Sequence, residues 1–200
     1  MPAQEEDPNK FSSYREESEI MISEDGLQIN CRIDDEEPDT ALLGVSPIDN
    51  SLSCYFEIRI VRLPDGGMVA IGLADSDYPT EEEEIGWRRT SIGFHSDNGG
   101  IYHCEPDDCI YGYPTYGQGD VVGCGLVPAT CQVYFTLNGT LLGSPCRDVE
   151  PKGFFFPAVS FDGPIVLQAN FGTKPFLYDP SVNLPPSLTR QMDYFSHRLR

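Results

Sequence analysis

Apolar residues recur at every second position over short runs of this chain, and Gly, Asp and Asn punctuate the runs. The clearest run is 54–61. Cys54, Phe56, Ile58 and Ile60 fall on one face and Tyr55, Glu57 and Arg59 on the other, the period of a half-buried strand. Val69, Ile71 and Leu73 alternate with Ala70, Gly72 and Ala74, so this strand carries small residues on its second face. Cys131, Val133, Phe135 and Leu137 alternate with Gln132, Tyr134 and Thr136 and lead into Asn138-Gly139, a strong two-residue hairpin signal, with 140–143 as the return strand. Strands are also expected at 20–22 and 27–31 around Asp25-Gly26, at 41–45, 101–104 and 121–126, and at 154–161 and 165–171 around Asp162-Gly163. Residues 85–100 hold the only tryptophan, Trp87; they predict an entry strand anchored by Trp87 and a turn at Asp97-Asn98-Gly99-Gly100.

Many short strands with almost no helical period predict an all-β, antiparallel sandwich or barrel. Helical spacing shows only at the end, where Leu188, Met192, Phe195 and Leu199 share a face behind a capping Ser187. The expected organisation is a disordered acidic leader over 1–18, one β-domain over 19–180 and a tail with a short helix over 181–200.

Composition sharpens this. Nineteen glycines and 17 prolines in 200 residues favour tight turns over long helices. No run is long enough to span a bilayer, and the first ten residues are neither basic nor apolar, so no secretory signal is expected and the location read is cytoplasmic, with the nucleus also open to it. A net charge of −19 argues against a nucleic-acid or anionic-membrane binder; solubility is its plain reading and a basic partner, steered in by long-range attraction, the sharper alternative. Seven cysteines, an odd number, argue against a disulfide framework and read as reduced core thiols.

Candidate chemistry is sparse. His95 and His103 flank the 97–100 turn and could face one another, but no nucleophile pattern accompanies them and a packed imidazole is the simpler reading. Cys104 and Cys109, with Asp107 and Asp108 between, permit but do not signal zinc. Acidic pairs are too numerous to mark a hydrolase, and Asn138-Gly139-Thr140 is explained as a turn rather than a sequon. No catalytic residue, metal or cofactor is expected. The tyrosine-rich loop (Tyr111, Tyr113, Tyr116) and the polar loop 75–84 are interaction candidates; packing across the sandwich ends is the competing reading for the tyrosines.

Over most of the chain the ordered motifs resemble the SPRY domain, in its Ran-binding-protein-M-like form. They are Tyr55-Phe56-Glu57-Ile58, Gly72-Leu73-Ala74, Gly86-Trp87, the Gly93-Phe94-His95-Ser96-Asp97-Asn98-Gly99 block and Gly119-Asp120-Val121-Val122-Gly123-Cys124. Tyr134-Phe135-Thr136-Leu137-Asn138-Gly139 with Leu142-Gly143, Phe156-Pro157, and Ala169-Asn170-Phe171-Gly172 with Pro175-Phe176 complete the set. The resemblance implies a two-sheet, concanavalin-like β-sandwich without catalytic site or cofactor. It implies a module that binds a segment of a partner protein through loops at one end, as substrate-recruiting SPRY domains do in ubiquitin-ligase complexes. Those loops fall at 47–50, 75–78 and 161–163. The residues expected to contact the partner are Pro47, Tyr78, Tyr111, Tyr113 and Phe161 as anchors and Asp49, Asp75, Asp77 and Asp162 as selectors of basic or polar groups. A monomer is expected. The alternative from another class is a lectin-like carbohydrate-binding domain, since lectins share the architecture.

Overall fold

The computed structural model describes residues 11–12, 20–32, 40–44, 48, 54–79, 83–103, 109–127, 131–146 and 155–183. Its strands are β1 (Phe11–Ser12), β2 (Ile20–Ile22), β3 (Gln28–Cys31), β4 (Thr40–Gly44), β5 (Cys54–Arg62), β6 (Val69–Asp75), β7 (Ser91–His95), β8 (Ile101–His103), β9 (Cys109–Ile110), β10 (Val121–Val127), β11 (Gln132–Leu137), β12 (Thr140–Cys146), β13 (Phe155–Phe161) and β14 (Ile165–Asn170), and one turn of helix, α1, spans Pro180–Asn183. They form two seven-stranded sheets. The first runs β1-β4-β13-β6-β7-β8-β9 and the second β12-β11-β10-β5-β14-β3-β2. Every pairing is antiparallel. This is the all-β sandwich that the alternation predicts. Phe11 and Ser12 pair with β4, so part of the stretch expected to be a disordered leader belongs to the first sheet. The expected helix over 187–199 lies outside the described residues.

Between the sheets lie the alternating apolar positions: Phe56, Ile58 and Ile60 of β5, Val69, Ile71 and Leu73 of β6, Phe94 of β7, Val122 and Cys124 of β10, Val133 and Phe135 of β11. The hydrophobic effect accounts for this layer, each fully buried large side chain being worth roughly 1.5–3 kcal/mol. The Asn138-Gly139 turn has φ of 51° and 77°, the left-handed pair a two-residue hairpin requires. Cys31 and Cys124 are buried, Cys54 is half-buried and Cys131 exposed. Burial pushes the Cys54 thiol up to about 11 and the Cys124 thiol well above its ordinary value. Iodoacetamide at about pH 8 will therefore leave both unlabelled in the folded protein, because only the thiolate attacks. Peptide mapping should find them modified only after unfolding.

The outer faces are also covered, and the small residues explain how. On the first sheet Ala70, Gly72, Ala74, Gly93 and Ala158 leave a shallow floor on which Tyr78 and Ile85 lie, with Met68, Ala70, Ala74 and Ala158 joining them in a second apolar cluster. On the second sheet Gly123 and Gly125 make room for aromatic rings. A Cβ at Gly123 would sit 2.1 Å from the Tyr55 hydroxyl, and one at Gly125 2.1 Å from the Tyr134 ring. Those rings stack at 5.9 Å, with the Tyr178 and Phe176 rings set against Tyr55. The segment following β14 is thereby folded back over the second sheet.

Candidate functional site

Residues 75–90 form the longest described excursion beside the sheet edges. Residues 80–82 lie outside the described residues. The excursion leaves β6 at Asp75, crosses the outer face and re-enters at Ser91. Its polarity suggests a loop clear of the core, yet Tyr78 is 4% and Ile85 0% exposed. Three contacts hold it down: Ile85 donates its backbone N–H to Ser160 Oγ at 3.1 Å, Gly86 donates to Ser91 Oγ at 2.8 Å, and Tyr78 donates its hydroxyl to the Glu84 carbonyl. His95 completes the attachment. Its Nε2 lies 2.8 Å from the Ile85 carbonyl and its Nδ1 2.9 Å from Glu84 Oε2, while its ring packs 4.3 Å from that of Tyr102. His95 is thus a fastening of the loop, as the packed-imidazole reading expects. It does not face His103, which pairs with Ile92 and turns its Nδ1 to the Ser91 carbonyl. Trp87 does not anchor an entry strand. It is half-buried in the turns before β7, because the left-handed Gly86 (φ 105°) keeps the chain irregular until Ser91.

The loop tip carries the acids expected to select a partner. Asp77 is exposed and donates its N–H to Asp75 Oδ1 at 3.1 Å. Asp75 is 1% exposed, and its Oδ2 has no hydrogen-bond partner among the described residues. A buried carboxylate oxygen left without a donor costs about 1–3 kcal/mol or more. Close by, Ile48 donates its N–H to the Phe155 carbonyl, and Phe155 pairs with Asp75. Ile48 therefore lies at the same end of the sandwich; Pro47 and Asp49 lie outside the described residues.

The third expected loop is elsewhere. Phe161 pairs with Val69 at one end of β13, and Phe155 pairs with Asp75 at the other. Six residues of strand separate them, about 20 Å at ~3.3 Å per residue. Asp162, whose Oδ1 accepts the Met68 N–H at 2.6 Å, is thus at the opposite end from Asp75. The seven expected contact residues that are described do not form one surface. Two of the aromatics are also not available as anchors: Tyr78 and Phe161 are 4% and 2% exposed, their rings spent on the outer and inner clusters. In the tyrosine-rich loop, Tyr116 is buried and donates to the Phe94 and Val69 carbonyls, and Tyr113 packs partly buried on the core. Tyr111 alone of the three is open to solvent, 64% exposed, its ring edge-on to Tyr102. Sequence reasoning missed the Asn98–Tyr102 hydrogen bond (2.8 Å) that supports it; the only signal was their spacing across the 97–100 turn.

Among the described residues no group of three or more His, Cys, Asp or Glu is placed to hold a metal, and no helix is long and apolar enough to cross a membrane.

Comparison with known proteins places this geometry. The SPRY domain family model matches residues 53–174. The Ran-binding proteins 9/10 homolog of Drosophila melanogaster is 30% identical over 202 residues, covering 96% of this chain and 20% of that protein. The dual specificity protein kinase splA of Dictyostelium discoideum is 37% identical over 130 residues, 62% of this chain but 5% of that protein. This chain therefore spans only a small part of the length of these relatives. A crystal structure of a human SPRY domain superposes with a TM-score of 0.67 at 24% identity, over 79% of this chain and 98% of that one. The chain belongs to the SPRY family, whose domains are protein-interaction modules, and it has Ran-binding protein 9/10 homologues.

Proposed function

We propose that this SPRY domain is a non-catalytic adaptor that captures a basic or donor-rich segment of another protein at the end of the sandwich that carries Ile48, Asp75 and Asp77, and that it recruits that protein for ubiquitination. The observation that carries the reading is the orphaned Oδ2 of Asp75, set beneath the exposed Asp77. A lysine, arginine or amide group brought in past Asp77 would supply the missing donor. Uncompensated polar groups of this kind concentrate at binding sites because the fold carries their cost until a ligand relieves it. The preformed scaffold, with the loop already fastened by His95 and Ser160, keeps the ordering cost of binding small.

Asp75→Asn tests this with two readouts. The neutral amide can still accept from Asp77 through Oδ1 and no longer buries an uncompensated charge, so the variant is expected to be more stable by about 1 kcal/mol. Affinity capture from cytosolic extract should nonetheless lose the partners held by the wild type, and Asp77→Asn should weaken their capture. Loss of stability in Asp75→Asn, or capture unchanged in both variants but lost in Tyr111→Ala or Asp162→Asn, would move the site to the other end.

A further inference from the structure

The far side of the molecule carries the opposite charge. Among the described residues, the segment after β14 covers only the β10–β11 side of the second sheet's outer face. The rest is set out by register: Met21, Asn30, Val166 and Arg62 form one row across β2, β3, β14 and β5, and Gln28, Gln168 and Arg59 form the next. Arg32 extends the β3 end of this face, and Lys174 overhangs its other side. Where the covered and open halves meet lies a cleft of about 160 Å³ between Arg59, Gln168, Asn170, Lys174 and Leu177.

In a chain of net charge −19 these cations should be paired. Among the described residues they are not: there the side chains of Arg32, Arg62 and Lys174 make no hydrogen bond or ion pair, and Arg59 reaches only the Gly119 carbonyl, at 3.4 Å. Two described carboxylates beside them, Glu57 of the cleft lining and Asp25, are already engaged. Glu57 accepts the N–H groups of Leu177 and Tyr178 and the Tyr55 hydroxyl. Asp25, near enough to Lys174 to feel its charge, accepts from Ser23 and Leu27. Val61, between Arg59 and Arg62 on β5, is 46% exposed, and Met21, at the β2 edge of the same face, is 42% exposed. Cations flanked by bare apolar side chains and amide groups are complementary to an extended segment that carries both acidic and apolar residues.

We propose that this open half-face binds an acidic, extended segment of a second protein, with carboxylates on Arg59, Arg62 and Lys174, apolar side chains on Met21, Val61 and Val166, and main-chain groups on Gln28, Asn30 and Gln168. Charge complementarity selects this occupant. A nucleic acid would require phosphate contacts over a longer basic track than these side chains provide, against the field of an acidic chain. At physiological salt, charges beyond ~8 Å are screened, so the local cations outweigh the distant acids. The site is on a different face from the Asp75 end and stands independently of that proposal.

The test is fluorescence anisotropy of the full chain with a labelled dodecapeptide of alternating Glu and Val, against its Gln-Val counterpart, at about 0.15 M salt. The Glu peptide should bind more tightly than the Gln peptide. Arg59→Glu with Arg62→Glu should weaken it at least about tenfold, while Asp77→Asn leaves it unchanged. These arginines are exposed, and a melting curve checks the fold. Should the reversal unfold the sheet, Arg59→Gln with Lys174→Gln should still weaken binding about threefold. Equal binding of the two peptides, or unchanged affinity in a folded variant, would overturn the proposal. So would self-association of the wild type that the reversal abolishes, since the face would then belong to a second copy.

Discussion

Replacing Gly93 by alanine will lower the melting temperature by about 10 °C and free the 83–90 loop below the main transition. The cause is steric. A Cβ on Gly93 would lie 2.2 Å from the Ile85 carbonyl oxygen and 2.9 Å from its carbon. Those atoms belong to backbone, not to the end of a flexible side chain, and they cannot withdraw cheaply. The Ile85 oxygen faces His95 Nε2 at 2.8 Å, and the Ile85 N–H is bonded to Ser160. Moving the loop outward breaks both and uncovers Ile85 and Tyr78. Overpacking of ~1–3 kcal/mol plus about 1 kcal/mol for each of the two lost hydrogen bonds gives about 3–5 kcal/mol. Differential scanning calorimetry reads the transition, and hydrogen exchange at residues 84–86 reads the loop. Gly66→Ala is the control. Its φ is 84° but nothing lies within 4 Å of a Cβ there, so only the left-handed backbone strain of ~1–2 kcal/mol applies. If Gly93→Ala behaves like Gly66→Ala, the loop is not seated on the sheet.

Gly93 also marks where sequence reading succeeds and where it stops. The inner layer is legible because a strand's period is two: Phe56, Ile58 and Ile60 are read from spacing alone and are at most 1% exposed. The small face of β6 is equally legible as a pattern, but its purpose is not. It depends on a loop that docks from later in the chain, and in that loop Tyr78 and Ile85 are two apolar residues among acids, with no period to mark them. Gly123 and Gly125 could be read as motif residues; that they make room for Tyr55 and Tyr134 required the register of β5, β10 and β11. The candidate site was misjudged for a topological reason. Asp75 ends β6 and Asp162 follows β13, and antiparallel neighbours end at opposite ends of a sheet. Once the pairing of β6 with β13 is known the separation follows directly, but nothing in the local sequence of either loop announces that pairing. Burial of a single side chain such as Phe161, at the last position of its strand, is likewise set by what the partner sheet places opposite it.

Glu57→Ala will have an effect of comparable size at the other outer face, and a different signature. Alternation places Glu57 on the polar side of β5, where an exposed carboxylate is the ordinary expectation; instead it is 5% exposed. Its oxygens accept the Leu177 N–H at 2.9 and 3.0 Å, the Tyr178 N–H at 3.0 Å and the Tyr55 hydroxyl at 3.0 Å. The carboxylate thus replaces a neighbouring strand: it satisfies two backbone donors of a segment that has no ladder of its own there. Alanine would leave both N–H groups without acceptors under the aromatic cluster of Tyr55, Tyr134, Tyr178 and Phe176. Charge-assisted bonds of this type are worth about 1.5–3 kcal/mol, and an orphaned donor adds to the loss, so about 3–4 kcal/mol and a melting temperature lower by about 10 °C are expected. Limited proteolysis separates this from general destabilisation. Cleavage within 171–183 should appear at temperatures where 83–103 remains protected, and Glu57→Gln, which keeps one acceptor oxygen, should restore part of the protection. Uniform loss of protection across both sheets would mean that the carboxylate supports the sandwich as a whole and not the returning segment.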